Sequence, residues 1–418
     1  MNFRIRIKQS IVFLIAFIVL FWGVKPKFIS MRIIEVNDRK SVKAFHKVPS
    51  IIYKGDSNYV PQLRNSVEEI FSDEKNSLFK NGNAARWVLM DNKNCPLGRI
   101  AAFFNNNNAN LNDQPTGGCG FFECINNPSA SKRLFDVAKN WLSVQGMEAM
   151  DGPVNFGENF FNWGVLTEGF MPQGYGMPYN KEYYFYLFKE YGFKTYYQQY
   201  TYELDITDPN LPERFWKIAA WVAKKPNFTF EHFTFRSQEK YISDFMKIHN
   251  QAWRKHANYK PIEAHNLREL IVQSKVALEE EFIWFVYHKG EPVAFFMMIP
   301  DINQILKRMN GKLNFVSILK FLYLKKRKTI NRVRVLVMGV IPKFQKSGLE
   351  SGIFWHLRQT MLKKPWYNEM ELSWVGDFNP KMISLFKAVG GHHTKTHQTM
   401  RYLFDHEKEF KRLPIILD

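Results

Sequence analysis

The sequence predicts an α+β protein built as two domains in tandem, on three observations. The chain has 418 residues, more than one ordinary hydrophobic core can use. Short apolar strand-like runs alternate with stretches of helical periodicity along its whole length. The order of those elements also recurs at a spacing of about 200 residues, a duplication of fold in which the residues themselves do not repeat.

Composition supports large cores and excludes a disordered chain: 45% of residues are hydrophobic and 16% aromatic, with 38 Phe. The net charge of +19 favours anionic partners, namely a nucleotide-containing cofactor, a nucleic acid or an anionic membrane surface. The clearest basic run is 320–328, continued by Arg332 and Arg334. Its interleaved apolar residues suit a helix end on a membrane face, and no nucleic-acid motif accompanies it. Cys95, Cys119 and Cys124 lack zinc-type spacing, so no metal site is expected. They read as reduced, buried thiols of a cytoplasmic protein.

The first thirty residues stand apart. Arg4, Arg6 and Lys8 precede an apolar run at 11–24, shorter than the ~20 residues that span a bilayer. Residues 31–36 then read as a natural first strand. Residues 1–30 are therefore expected to be an apolar leader or a mis-assigned start ahead of Met31, with a short membrane anchor as the alternative.

From Met31 the elements follow in order. A helix is expected at 41–53, strands at 87–90 and 98–104, an Asn- and Gly-rich loop at 105–118, and a strand at 120–125. A helix at 129–145, with Ser129 as its cap, ends at Gly146. A strand at 149–155, a short helix at 183–191 and a strand at 197–204 complete an N-terminal domain at 31–204. The breaker-rich start of 205–229 marks a linker with a helix. The C-terminal domain at 230–418 repeats the scheme: helices at 239–253 and 267–276, a hairpin at 282–299, a buried strand at 333–340, and a helix at 349–362. A strand at 369–375, a helix at 380–388 and a strand at 398–404 close it.

The most informative segment is Val340-Ile-Pro-Lys-Phe-Gln-Lys-Ser-Gly-Leu-Glu350, between a buried strand and a helix. A glycine-bearing turn that opens a helix presents unpaired amides and the positive end of the helix dipole, which suits a pyrophosphate. Gly348 permits close backbone approach, and Lys343 and Lys346 add charge. An ordinary strand-to-helix turn is the competing reading of the same residues.

This segment resembles the acyl-CoA-binding motif of the GNAT acyltransferases, an Arg or Gln followed after two residues by Gly, any residue, and Gly or Ala. Gln345 and Gly348 match, and Glu350 stands where the family has the small residue. Glu371-Leu-Ser-Trp-Val-Gly-Asp-Phe-Asn-Pro380 resembles the next GNAT strand and loop, with Asn379 at the cofactor-approaching Asn. Seven residues on, Phe386 replaces the family's proton-donating Tyr. Tyr53-Lys-Gly-Asp-Ser-Asn-Tyr-Val-Pro61, Gly120-Phe-Phe-Glu123 and Met177-Pro-Tyr-Asn180 resemble a bacterial group of tandem GNAT-like proteins of unassigned function, over residues 31–405.

The resemblance implies two GNAT-like domains, each a mixed, mostly antiparallel sheet flanked by helices. It also implies an acyl-CoA co-substrate and an amine acceptor. Met338, Val340, Gln345, Lys346, Ser347, Gly348, Leu349 and Asn379 are the expected cofactor-binding residues, with a backbone amide of the 335–340 strand as the oxyanion donor. Glu123, Glu371 and Asp377 are the candidate bases. For Glu123 the competing reading is a carboxylate paired with Arg99 or Lys132. His356 falls in a helix and His392 and His393 in a surface loop, without metal-ligand spacing. Tyr175, Tyr179, Tyr183, Tyr184, Tyr186 and Tyr191 read as a structural cluster. Two other functions stay open: a catalytically degenerate ligand-binding module, and a peripheral membrane enzyme acting on a lipid or cell-wall precursor.

Overall fold

A computed structural model of the chain describes residues 30–110, 114–157, 163–252, 263–309 and 315–416. The leader expected at 1–30 lies, but for Ser30, outside the described residues. The strands of the first half are β1 (Met31–Glu35), β2 (Gly82–Asp91), β3 (Pro96–Asn105), β4 (Thr116–Cys124), β5 (Ala149–Gly152), β6 (Val165–Glu168) and β7 (Lys194–Leu204). Those of the second are β8 (Phe228–His232), β9 (Ile283–His288), β10 (Glu291–Pro300), β11 (Arg332–Val340), β12 (Glu369–Gly376) and β13 (His392–Leu403).

All of them join one mixed sheet in the order β1-β2-β3-β4-β5-β13-β7-β12-β11-β10-β9-β8, with β6 also on β13. The closing strands are exchanged. β7, at the end of the first half, pairs antiparallel with β12, while β13, at the end of the chain, pairs with β5. β7 and β13 lie side by side at the centre. The boundary expected near residue 205 therefore does not divide the sheet. Among the described residues only β4–β5 and β11–β12 are parallel, and each such pair is bridged by a helix, Pro128–Val144 or Leu349–Leu362.

Local signals account for most elements. The Arg39–Ile52 helix starts at a capping box in which the Ser41 amide donates to Asp38 Oδ1 at 2.7 Å. The Pro128–Val144 helix is capped by Asn127, not Ser129, because Pro128 fits the first helical position and needs no amide partner there. Its face of Leu134, Phe135, Ala138 and Leu142 is fully buried, each large side chain adding about 2 kcal/mol. The asparagine run of the expected loop forms a single helical turn, Asn106–Ala109.

β13 begins at His392, so His392 and His393 lie on a strand rather than in a loop. The strand expected at 398–404 is the second half of β13, and the first half is concealed by its sequence. Lys395, Thr396, His397, Gln398, Thr399 and Arg401 are all buried, at a seam where polar side chains partner one another instead of alternating with apolar ones.

Candidate active site

Two wedges open in the sheet, one per half, where a parallel pair parts. In the C-terminal half β11 and β12 pair only from Arg332↔Glu369 to Val335↔Leu372. β12 then continues along β7, at Val375↔Tyr200. β11 continues along β10 with a bulge, since Met297 faces Val337 and Met298 faces Val335, leaving Leu336 unmatched. A strand in a sheet sends alternate amides to each neighbour, so once β12 departs, β11 has amides left for another acceptor. Leu336, Val337 and Met338 are half-buried there, between buried residues on either side.

The strand runs out of the wedge into the Pro342–Phe344 turn and then Gly348, whose φ of +73° only glycine holds without strain. Gly348 starts the Leu349–Leu362 helix with no side-chain cap. Gln345 folds back and donates to the Val340 carbonyl at 3.3 Å, fixing the turn to the strand end. Lys343 and Lys346 are exposed and Ser347 half-buried. The Leu349 side chain is fully buried, so only its amide faces the turn. Glu350 stays at the helix mouth. Burial pushes its carboxyl up, while its own amide pulls it down.

Beyond β12, Asn379 Oδ1 accepts from the Met382 amide at 3.2 Å and caps the Pro380–Ala388 helix. Asp377 accepts from the Gln198 amide at 3.1 Å and pairs with Arg412 of the C-terminal tail. Phe386 is buried edge-on against Tyr202, with ring centroids 5.8 Å apart, and offers no proton.

Glu371 is sealed at the seam. Its Oε2 meets Lys395 Nζ at 2.5 Å, and Arg334 Nε lies 3.4 Å from Oε1. Burial alone would raise its pKa; Lys395, Arg334 and Arg332 outweigh that and hold it below the usual range. Nearby Asp301 is pushed up to about 6 by burial and by the charge of Glu371. Glu371 is thus a buried ion-pair partner.

The N-terminal wedge differs. β4 and β5 pair to Gly118↔Asp151, and β4 then bulges, with Phe121 at a φ of +52°. Backbone fills the gap: the Val154 amide donates to the Cys119 carbonyl at 2.9 Å. A Cβ on Gly120 would stand 2.0 Å from the Val154 carbonyl oxygen. Above this plug Glu123 Oε2 accepts from Tyr53 Oη at 2.8 Å and Tyr184 Oη at 2.7 Å, and Arg99 Nη2 lies 3.6 Å from Oε1. Burial raises the Glu123 pKa against the opposing pull of Arg99 and the two tyrosines. Tyr59, Glu123, Tyr179 and Tyr184 line a cavity of about 40 Å³, room for water rather than for a substrate. Arg99 had been one of two expected partners of Glu123. Tyr53 had not been foreseen, since a side chain 70 residues away leaves no local trace.

Solved structures share this architecture. A tandem GNAT protein from the clavulanic acid biosynthesis pathway superposes with a TM-score of 0.53 at 9% identity, over 91% of this chain and 100% of that one. The chain carries a tandem GNAT fold. A glucosamine N-acetyltransferase region in a fungal multi-domain GH3 β-N-acetylglucosaminidase gives 0.52 at 11% identity, over 91% of this chain but only 38% of that longer one. Among curated proteins, the bacterial ceramide synthase of Caulobacter vibrioides is 25% identical over 383 residues, 88% of this chain and 96% of its own. Protein YghO of Escherichia coli is 25% identical over 358 residues, 84% of this chain and 90% of its own. No family model matches. Within the tandem GNAT fold the halves are unequal: the N-terminal wedge is plugged by backbone. Among the described residues no backbone hydrogen bond joins β11 to β12 beyond Val335. No group of His, Cys, Asp or Glu among the described residues is arranged to hold a metal.

Proposed function

We propose that the protein is an acyl-CoA-dependent N-acyltransferase working in its C-terminal wedge. The parting of β11 and β12 beside the helix that opens at Gly348 carries this reading. The donor set suits a pyrophosphate and its pantetheine arm. It comprises free β11 amides, the uncapped first turn of the helix, and Lys343 and Lys346 beside it. Glu350, in the first turn of the helix, is the opposing charge.

Bound there, an acyl-CoA supplies an activated thioester carbonyl. The amides near Leu336 hold the carbonyl oxygen and stabilise negative charge as it develops, and the wedge aligns the amine with the carbon. To Asp377, directly after the last residue of β12, we assign the ammonium proton. Glu123 and Glu371 lie in closed surroundings and act as structural carboxylates. With Phe386 in place of a tyrosine, solvent protonates the departing thiolate.

For the acceptor we infer a long-chain amine. The support is the curated relative named a bacterial ceramide synthase, whose named product is an N-acylated long-chain amino alcohol and whose length is almost wholly matched. A second reading, a tandem GNAT that binds a ligand without turnover, is favoured by Glu350 and Phe386 together.

Titration with acetyl-CoA and palmitoyl-CoA, followed by thermal shift, separates the two from an inert scaffold. Release of free thiol with sphinganine, and not with short amines, then tests catalysis and acceptor class. Absence of a thermal shift with either thioester sinks the acyltransferase.

A further inference from the structure

The Phe315–Lys326 helix is apolar on two opposite faces. One carries Phe321 and Leu324, which are buried in the core of the second half. The other carries Phe315, Val316, Ile318, Leu319, Leu322 and Tyr323, all exposed, with Phe315 at 74% and Val316 at 72%. At 100° per residue these six spread over nearly half the helix circumference, opposite the buried pair. A helix apolar all round is ordinarily covered all round. The adjoining Ala264–Ser274 helix also exposes Leu270 and Val272, and Lys325 Nζ, donating to the Val276 carbonyl at 2.5 Å, ties the two regions together.

Charge identifies the cover. Between Asp301 and Glu350 the sequence has 12 Lys and Arg and neither Asp nor Glu. Lys320 flanks the exposed face, and Lys326, Arg327 and Lys328 crowd the end of the helix. That end borders an open groove of about 410 Å³ whose lining includes Leu322, Lys325, Lys326, Lys328, Trp366 and Tyr367. Lys328 Nζ sits 3.7 Å above the Trp366 ring, an ammonium on an aromatic platform at an apolar edge. Glu279, the acid in the groove, pairs with Lys364, which it shares with Glu281, and accepts from Tyr367 Oη.

We propose that the Phe315–Lys326 helix docks the protein on an anionic phospholipid bilayer, lying in the plane of the interface. Its outer face enters the acyl boundary, and Lys326, Arg327 and Lys328 meet the lipid phosphates. A second copy of this chain is the weaker occupant, because it would bring the same dense positive charge against itself. The surface stands on its own observations and holds whether or not the wedge turns over a thioester.

The test is co-sedimentation of the full chain with phosphatidylcholine vesicles, with and without phosphatidylglycerol. Binding is expected to the anionic vesicles, weakening as salt rises. Leu319→Ser with Leu322→Ser should cut it about tenfold without changing the melting temperature, as both side chains are exposed. Lys326→Glu with Arg327→Glu should cut it by more than tenfold, at roughly fivefold per lost charge and more on reversal. This second variant leaves the apolar face intact should the first misfold. No binding to anionic vesicles, undiminished binding by both variants, or a serine variant that only converts a dimer to a monomer would each overturn the proposal. Binding to duplex DNA but not to vesicles would do the same.

Discussion

Lys395 on β13 neutralises Glu371 on β12 across the intervening strand β7, at 2.5 Å in a place closed to water. The two residues are 24 apart in sequence, and the contact is made at the seam where β12, β7 and β13 lie side by side.

Removing the lysine strands a buried carboxylate. Lys395→Met should cost about 3 kcal/mol in urea unfolding, at the low end for a broken buried pair because Arg334 still faces Glu371. Adding Glu371→Gln should restore most of it. A single variant within 1 kcal/mol of the parent, on the scale of an exposed pair, shows that the seam is wet.

Acid should weaken the fold through buried imidazoles. Burial lowers His397 from 6.5 to about 3 and His356 from 6.5 to about 4. Each is neutral when folded and protonated when unfolded across the window between those values, so stability falls as pH drops below 6.5. The slope is about 1.4 kcal/mol per pH unit for each group. Asp301, raised to about 6, opposes this between its ordinary 3.8 and 6, where its protonated folded form loses stability as pH rises. His397→Gln should flatten the acid limb of a stability–pH curve measured from pH 7 to 5. An unchanged slope would mean that His397 is not buried in its neutral form.

The helix mouth beside the wedge should respond to single atoms. Glu350→Gln removes the opposing charge and should tighten acyl-CoA binding about twofold to fivefold, by the size of a charge effect at a helix N-terminus. Gly348→Ala meets no neighbour closer than 3.7 Å, yet must hold a φ of +73°. It should cost about 1 kcal/mol in stability and weaken binding. Calorimetric titration decides both, and looser binding by Glu350→Gln contradicts a pyrophosphate in that turn.

Much of this was legible in the chain. The Gly348 turn announced itself through a buried strand, a glycine and flanking lysines, and the tandem order of elements gave the fold. Other features left no such trace. β6 has four residues, too few for a period, and β13 is readable only over its second half, from 398 on, because the buried residues of 395–397 are polar. Glu123 was visible as a carboxylate among phenylalanines, but Tyr53 and Tyr184, which cap it, come from two distant helix ends. Lys395 gave no hint of burial, since a lysine is buried only when a distant partner is brought to it.

In the N-terminal wedge, Gly120→Ala should test the plug. Its methyl group would collide with the Val154 carbonyl oxygen, and main chain cannot yield as a flexible side chain does. A loss of about 3 kcal/mol or more is expected. A neutral effect would mean that this wedge opens in solution and that the two halves are alike after all.

Asp377→Asn should lower kcat at least tenfold while leaving the KM for acyl-CoA unchanged. Unaltered kcat assigns the proton to water alone.

The swapped closing strands have a consequence for how this protein can be divided. A fragment ending near residue 205 would carry away β7 and leave β5 with a bare edge, while the remainder would hold β13 with no β5 to receive it. Neither piece could be moved into another protein as a self-sufficient module. Expressed together, they should find each other and reassemble, for each carries the strand that the other lacks.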